Sequence, residues 1–226
     1  MDFSTFSSLL RVSANYKMPN LRTRLLETIR DAYPENFQGL HPSKTLGENV
    51  FDRPRPHPNA VLNLFVQQKV TSALPMAYYM AARRGLDSLM DTRLPANATL
   101  SGQTLRSAMR GLMALREMEL KETHRVVFAI KDTSNCVDCS SRGCPSLCPK
   151  EPLDTEFIGA HQQTFERITG TAVGGTRILQ VLSTSDFAED TESEFCQVCA
   201  EKIQVAHAEV RRKAWAALPE VFGLKA

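Results

Sequence analysis

Residues 101–130 read SGQTLRSAMRGLMALREMELKETHRVVFAI, and this stretch decides the fold class. Leu105, Met109, Leu112, Leu120, Val127 and Ile130 recur at spacings that line one face of a helix. Ser101 stands where an N-cap hydroxyl accepts from a first-turn amide. The pattern predicts one long helix from about Gln103 to Ile130, with Gly111 as the point where a bend is expected.

Moving outward, the same periodicity continues in both directions. Asp2 is placed to cap a first helix carrying Phe6, Leu9, Leu10 and Val12. Pro19 suits the first position of a second helix, with Leu21, Leu25, Ile29 and Ala32 on one face, and Pro34 ends it. From Gly39 to Pro58 the chain reads as loop, since Asp52-Arg-Pro-Arg-Pro-His-Pro58 favours an extended segment. Pro58 opens a helix through Val61, Leu62, Phe65 and Val66, and a further one spans Met76 to Arg84, stopped by Gly85.

Downstream of the long helix, residues 132–152 hold prolines, serines and cysteines and read as irregular. A helix from about Asp154 to Ile168, a glycine break at Gly170, Gly174 and Gly175, and a short apolar segment from Ile178 to Leu182 follow. The acids Asp186, Glu189, Asp190, Glu192 and Glu194 suit the positive end of a last helix. That helix is predicted to bury Phe195, Cys199, Ile203, Ala206, Val210 and Ala214. Glu201, Lys202, Arg211 and Arg212 are expected to face water. No alternating strand pattern of any length occurs. The expectation is an all-α, irregular array of roughly seven to nine helices. It divides into a helical pair over 1–40, a proline-containing linker over 41–57 and a helical region over 58–226.

The 226-residue chain carries a net charge of +2 and an ordinary balance of apolar and charged residues. Such a charge gives no global attraction for nucleic acid or an anionic membrane. No apolar run approaches the roughly 20 residues that span a bilayer. The opening Met-Asp-Phe-Ser-Thr-Phe lacks a basic and apolar leader, so an intracellular, cytoplasmic or nuclear, location with reduced thiols is expected.

Six cysteines are then the main chemical signal. Cys136-Val-Asp-Cys139 is followed by Cys144 and Cys148, and Cys196-Gln-Val-Cys199 lies more than fifty residues further on. A C-x-x-C turn lets two thiolates converge on one tetrahedral metal, and thiolates suit Zn2+. The predicted site is Cys136, Cys139, Cys196 and Cys199, with Cys144 or Cys148 as alternates. It would be structural, because four protein thiolates leave no open position. The bland alternative is six metal-free thiols packed as small hydrophobes. His207, two turns beyond Cys199, is a poorer ligand. A compact six-cysteine DNA-binding cluster is rejected, because the last pair is distant and no basic recognition surface accompanies it.

Two segments carry a family resemblance. Leu9-Leu-Arg-Val-Ser-Ala-Asn-Tyr-Lys-Met-Pro-Asn-Leu-Arg-Thr-Arg-Leu-Leu26 resembles the end of a BTB/POZ domain in fungal BTB-type proteins. Cys196-x-x-Cys199, followed by Arg211-Arg-Lys-Ala-Trp-Ala-Ala-Leu-Pro-Glu-Val-Phe-Gly-Leu224, is similar to the C-terminal region of the same family. The mixed sheet that begins such a domain has no counterpart here, so the similarity covers its final helical pair and the region beyond. The resemblance implies a protein-interaction or adaptor role, with a link to cullin-type ubiquitin ligases.

Catalytic patterns are thin. There is no G-x-S-x-G, no H-E-x-x-H and no phosphate-binding loop, and the five histidines are scattered. The chain is read as a non-catalytic interaction protein. The competing class is a zinc-containing, nucleic-acid-associated regulator using Arg211-Arg212-Lys213, a run that reads more simply as a solvated helix face. Trp215, Leu218 and Phe222 are expected to form an anchor that folds back onto the core, with Pro219 and Gly223 making the turn.

Overall fold

Asp2 closes the first turn of the first helix as the sequence predicts. Its carboxylate accepts from the Thr5 amide at 2.9 Å and the Thr5 hydroxyl at 2.6 Å, and these bonds, the hydroxyl's first, hold its pKa below the usual carboxylate value. The computed structural model describes residues 1–30, 32–36, 51–52, 54–131 and 197–224. Of these, 70% are helical and none is in a strand: the chain is all-α. The expected helix over 154–168 and the short apolar segment over 178–182 lie outside the described residues.

The helices are α1 (Phe3–Asn15), α2 (Pro19–Ile29), α3 (Pro58–Gln67), α4 (Leu74–Ala82), α5 (Leu86–Leu89), α6 (Gly102–Lys131) and α7 (Gln197–Val221), with a 3-10 turn over Thr71–Ala73. Their starts and stops follow local chemistry. Pro19, Pro58 and Pro75 sit in first turns, where a missing N–H is harmless. Ser101 caps α6, its hydroxyl accepting from the Thr104 amide at 3.3 Å. Gly85, at φ 86°, follows α4 in a conformation open chiefly to glycine.

Two compact units divide the chain, one comprising Met1–Ala114 with Ala216–Ala226 and the other Leu115–Trp215. In the first, α1 packs on α2 and α3 on α4. Its core holds Phe6, Leu10, Leu25, Ile29, Leu62, Phe65, Met76, Tyr79 and Phe222. Tyr33 meets Phe65 edge-on at 5.2 Å, and burial pushes its phenol pKa well up. Phe51, just before the Asp52–Pro58 stretch, packs edge-on against Phe3 and Phe6 of α1 at 5.2 and 5.4 Å. Asn63 of α3 donates to the Asn97 and Thr99 carbonyls at 3.0 and 2.8 Å, tying down the loop before α6. In the second unit, Leu115, Val210, Arg211 and Ala214 are buried, and Lys213 pairs with Glu209 at 3.1 Å.

Several expectations change. Gly111 serves close packing: a Cβ built there would overlap the Phe222 ring. Phe222 stacks on Tyr78 at 5.1 Å with 22° between the rings. Leu218 and Phe222 are fully buried, as the anchor requires, while Trp215 is half-buried. Pro219 makes no turn. α7 runs through it to Val221 and ends where Gly223, at φ 68°, lets the Leu224 amide reach the Pro219 carbonyl at 2.7 Å. Val12 is exposed, because the buried register of α1 is Phe6, Leu10 and Ser13. Ser13 tolerates burial by donating to the Leu10 carbonyl at 2.7 Å. Arg211, expected to face water, is buried.

Two other helix ends use the same six-residue closure without glycine. Met18 reaches back to Ser13 at 2.8 Å and Val70 to Phe65 at 2.9 Å. The left-handed residues are Lys17 at φ 53° and Lys69 at φ 51°.

Two stability predictions follow from this geometry. Gly111→Ala should lower stability by about 1–3 kcal/mol through overpacking against Phe222, despite alanine's better helix propensity. Adding Phe222→Leu should recover part of the loss, both read by denaturant melts. Lys69→Gly should raise stability by about 0.5 kcal/mol, as relief of the left-handed backbone outweighs the added unfolded-state entropy.

Candidate functional site

The start of α3 gathers the polar side chains of the first unit that most resemble a reactive group. Pro58 fixes the chain direction, and the residue before a proline is held extended; His57 is extended at ψ 136°. Its ring therefore turns back over the first turn, and Nδ1 accepts from the Asn59 amide at 3.3 Å, an N-cap made by imidazole. Nε2 lies 3.3 Å from the Ser88 hydroxyl, which α5 supplies. Asn59, fully buried, donates its side-chain amide to the Ser88 carbonyl at 3.2 Å. These bonds hold α5 against α3.

A serine beside a histidine invites a nucleophile reading, and the tautomer argues against it. With Nδ1 accepting from a backbone N–H, a neutral ring carries its proton on Nε2. Nε2 then donates to Ser88 and cannot take the hydroxyl proton as a general base must. The pair is a brace between helices. Burial is the main cause that lowers the His57 pKa; the Arg84 charge adds to it and Asp91 opposes it. Asp91 is itself bound to Arg93, with 2.9 Å between carboxylate and guanidinium Nε, and that hydrogen bond first lowers its pKa.

A second feature lies at the α1–α2 turn. Val12 and Tyr16, one helical turn apart, are 38% and 70% exposed, and Met18 beside them is 44% exposed. Arg11 and Lys17, their neighbours in sequence, and Arg24 of α2 are exposed as well. Arg22 donates to the Gln68 carbonyl at 2.6 Å, joining this turn to the C-terminal end of α3 and to Lys69. The turn and the helices beside it thus expose apolar and cationic side chains together. The sequence stretch that contains it was quoted above for its resemblance, and nothing in its periodicity announces the exposure.

Cys136, Cys139, Cys144, Cys148 and Cys196 lie outside the described residues, and Cys199 is placed only as a backbone position in the first turn of α7. Among the described residues no three His, Cys, Asp or Glu side chains gather to hold a metal. No described helix is long and apolar enough to cross a membrane. Of the basic run, Arg211 is buried, Arg212 is exposed and Lys213 pairs with Glu209. No family model matches the chain, and no curated protein or solved structure matches it either.

The His57 cap makes stability depend on pH. Its lowered pKa means the fold prefers the neutral ring, so this contribution is complete above the ordinary histidine value of 6.5. It is lost as pH falls through the lowered folded value. Melting temperature should therefore drop below about pH 6.5 in the wild type. His57→Asn, which caps without titrating, should remove that part of the drop. His57→Ala should cost about 1 kcal/mol at neutral pH.

Proposed function

We propose that this chain is a non-catalytic protein-interaction or adaptor protein of the BTB-associated kind, with a structural zinc in its cysteine-containing region. One observation supports the interaction role above the others. The helical pair that resembles the end of a BTB domain leaves Val12, Tyr16 and Met18 uncovered, with Arg11, Lys17 and Arg24 exposed on the same two helices and their turn. Large apolar side chains grouped at a polar-rimmed surface mark contact sites. A link to cullin-type ligases rests on the resemblance alone.

The zinc reading rests on the donor set. Cys136, Cys139, Cys196 and Cys199 form two C-x-x-C pairs, the ligand type and number of a closed structural site, with Cys144 and Cys148 as alternates. Cys199 belongs to the first turn of α7, where backbone N–H groups favour a thiolate. The metal would contribute folding energy by cross-linking the segment after α6 to the start of α7.

Two measurements test these claims separately. A photo-crosslinking residue at position 16, in the cell that expresses the chain, should yield a discrete protein adduct. The adduct should be absent when the residue is moved to Gln103 and should be lost in a Met18→Glu background. Equal labelling at both positions would contradict the interaction role. Metal analysis of protein purified without added zinc should give about one zinc per chain. Much less metal, with all six thiols titratable in the native protein, would remove the site.

A further inference from the structure

The charge of the α1–α2 turn is more one-sided than the chain's small net charge suggests. No Asp or Glu occurs between residues 3 and 26, or between 53 and 86. Those two stretches hold α1, α3, α4 and the part of α2 up to Leu26, with Glu27 following in the last turn of α2. Where Arg22 reaches the Gln68 carbonyl at 2.6 Å, the two acid-free stretches meet, and exposed Lys17 and Lys69 flank that meeting point.

Both lysines sit in the left-handed region, at φ 53° and 51°. Glycine fills such positions at least cost, and a side chain there is strained. Compensation of the helix dipole does not require Lys69, since the Arg22 guanidinium already occupies the terminal carbonyl of α3. A charge kept at a strained backbone position points to use of that charge. Tyr16 and Met18 flank Lys17 in the chain, and Val12 lies one helical turn before Tyr16. A valine and a methionine around one ring offer an adaptable aliphatic surface, suited to side chains projecting from a helix. A single-stranded nucleic acid asks instead for several stacking rings. Tyr16 is the one aromatic among the described exposed large hydrophobics.

We infer that the α1–α2 turn, with Lys69, docks an acidic amphipathic helix of a partner protein. Apolar side chains of that helix would cover Val12, Tyr16 and Met18, while its carboxylates would meet Arg11, Lys17 and Lys69. This specifies the partner of the interaction surface proposed above and rests on that reading. Local charge complementarity sets the register, and the small overall charge keeps longer polyanions from being drawn in at a distance.

The test uses the full chain and a fluorescein-labelled helical peptide with glutamates on one face and leucine and phenylalanine on the other. Fluorescence anisotropy should show binding that weakens as salt rises. Lys17→Gly combined with Lys69→Gly should weaken it about tenfold while the melting temperature is held or raised, which separates lost charge from lost fold. Tyr16→Ser, at an exposed position, should weaken it by a similar factor without a change in melting. Absence of peptide binding, binding unchanged in these variants, or tighter binding to a single-stranded oligonucleotide or to phosphatidylserine vesicles would each overturn the inference. Protein adducts at position 16 without affinity for the acidic peptide would overturn the acidic class alone. Loss of both would overturn the interaction role as well.

Discussion

The contact between Phe222 and Gly111 joins parts of the first unit that lie far apart in sequence. The ring enters a space that exists only because residue 111 has no side chain, and it stacks on Tyr78 from the other direction. A fully buried phenylalanine removes enough apolar surface from water to contribute about 1.5–3 kcal/mol. Three segments far apart in sequence, α4, the first half of α6 and residues 216–224, therefore depend on one side chain. Gly223 completes the arrangement by ending α7 immediately after the ring has been placed.

What the sequence made legible is what local chemistry decides. Asp2, Pro19, Pro58, Gly85 and Ser101 each act within one helical turn, and each marks the boundary expected of it. The long helix was readable because its apolar spacing runs over many turns. The packing role of Gly111 is not legible locally, since it depends on a ring more than a hundred residues downstream. Val12 and Arg211 were assigned to the wrong surface for a related reason. Hydrophobicity suggested their orientation, but helical register sets it, and in α1 that register selects Ser13 over Val12.

The polar brace at the start of α3 shows a different limit. An imidazole N-cap depends on ring orientation and on which nitrogen carries the proton, and neither is written in residue order. The same bonds that make His57 and Ser88 look like a nucleophile and base fix the tautomer that disfavours that chemistry. Exposure at the α1–α2 turn was equally hidden, because Val12, Tyr16 and Met18 are ordinary core residues by composition. Only the folded register shows that they lie at the surface.

The C-terminal ring is the shared packing partner of α4 and the first half of α6. Native-state hydrogen exchange on Phe222→Ala measures this dependence most directly. The predicted result is a shared loss of protection, of similar free energy, in residues 216–224, in α4 and in the first turns of α6. Loss confined to residues 216–224, with α4 and α6 protected as in the wild type, would contradict it.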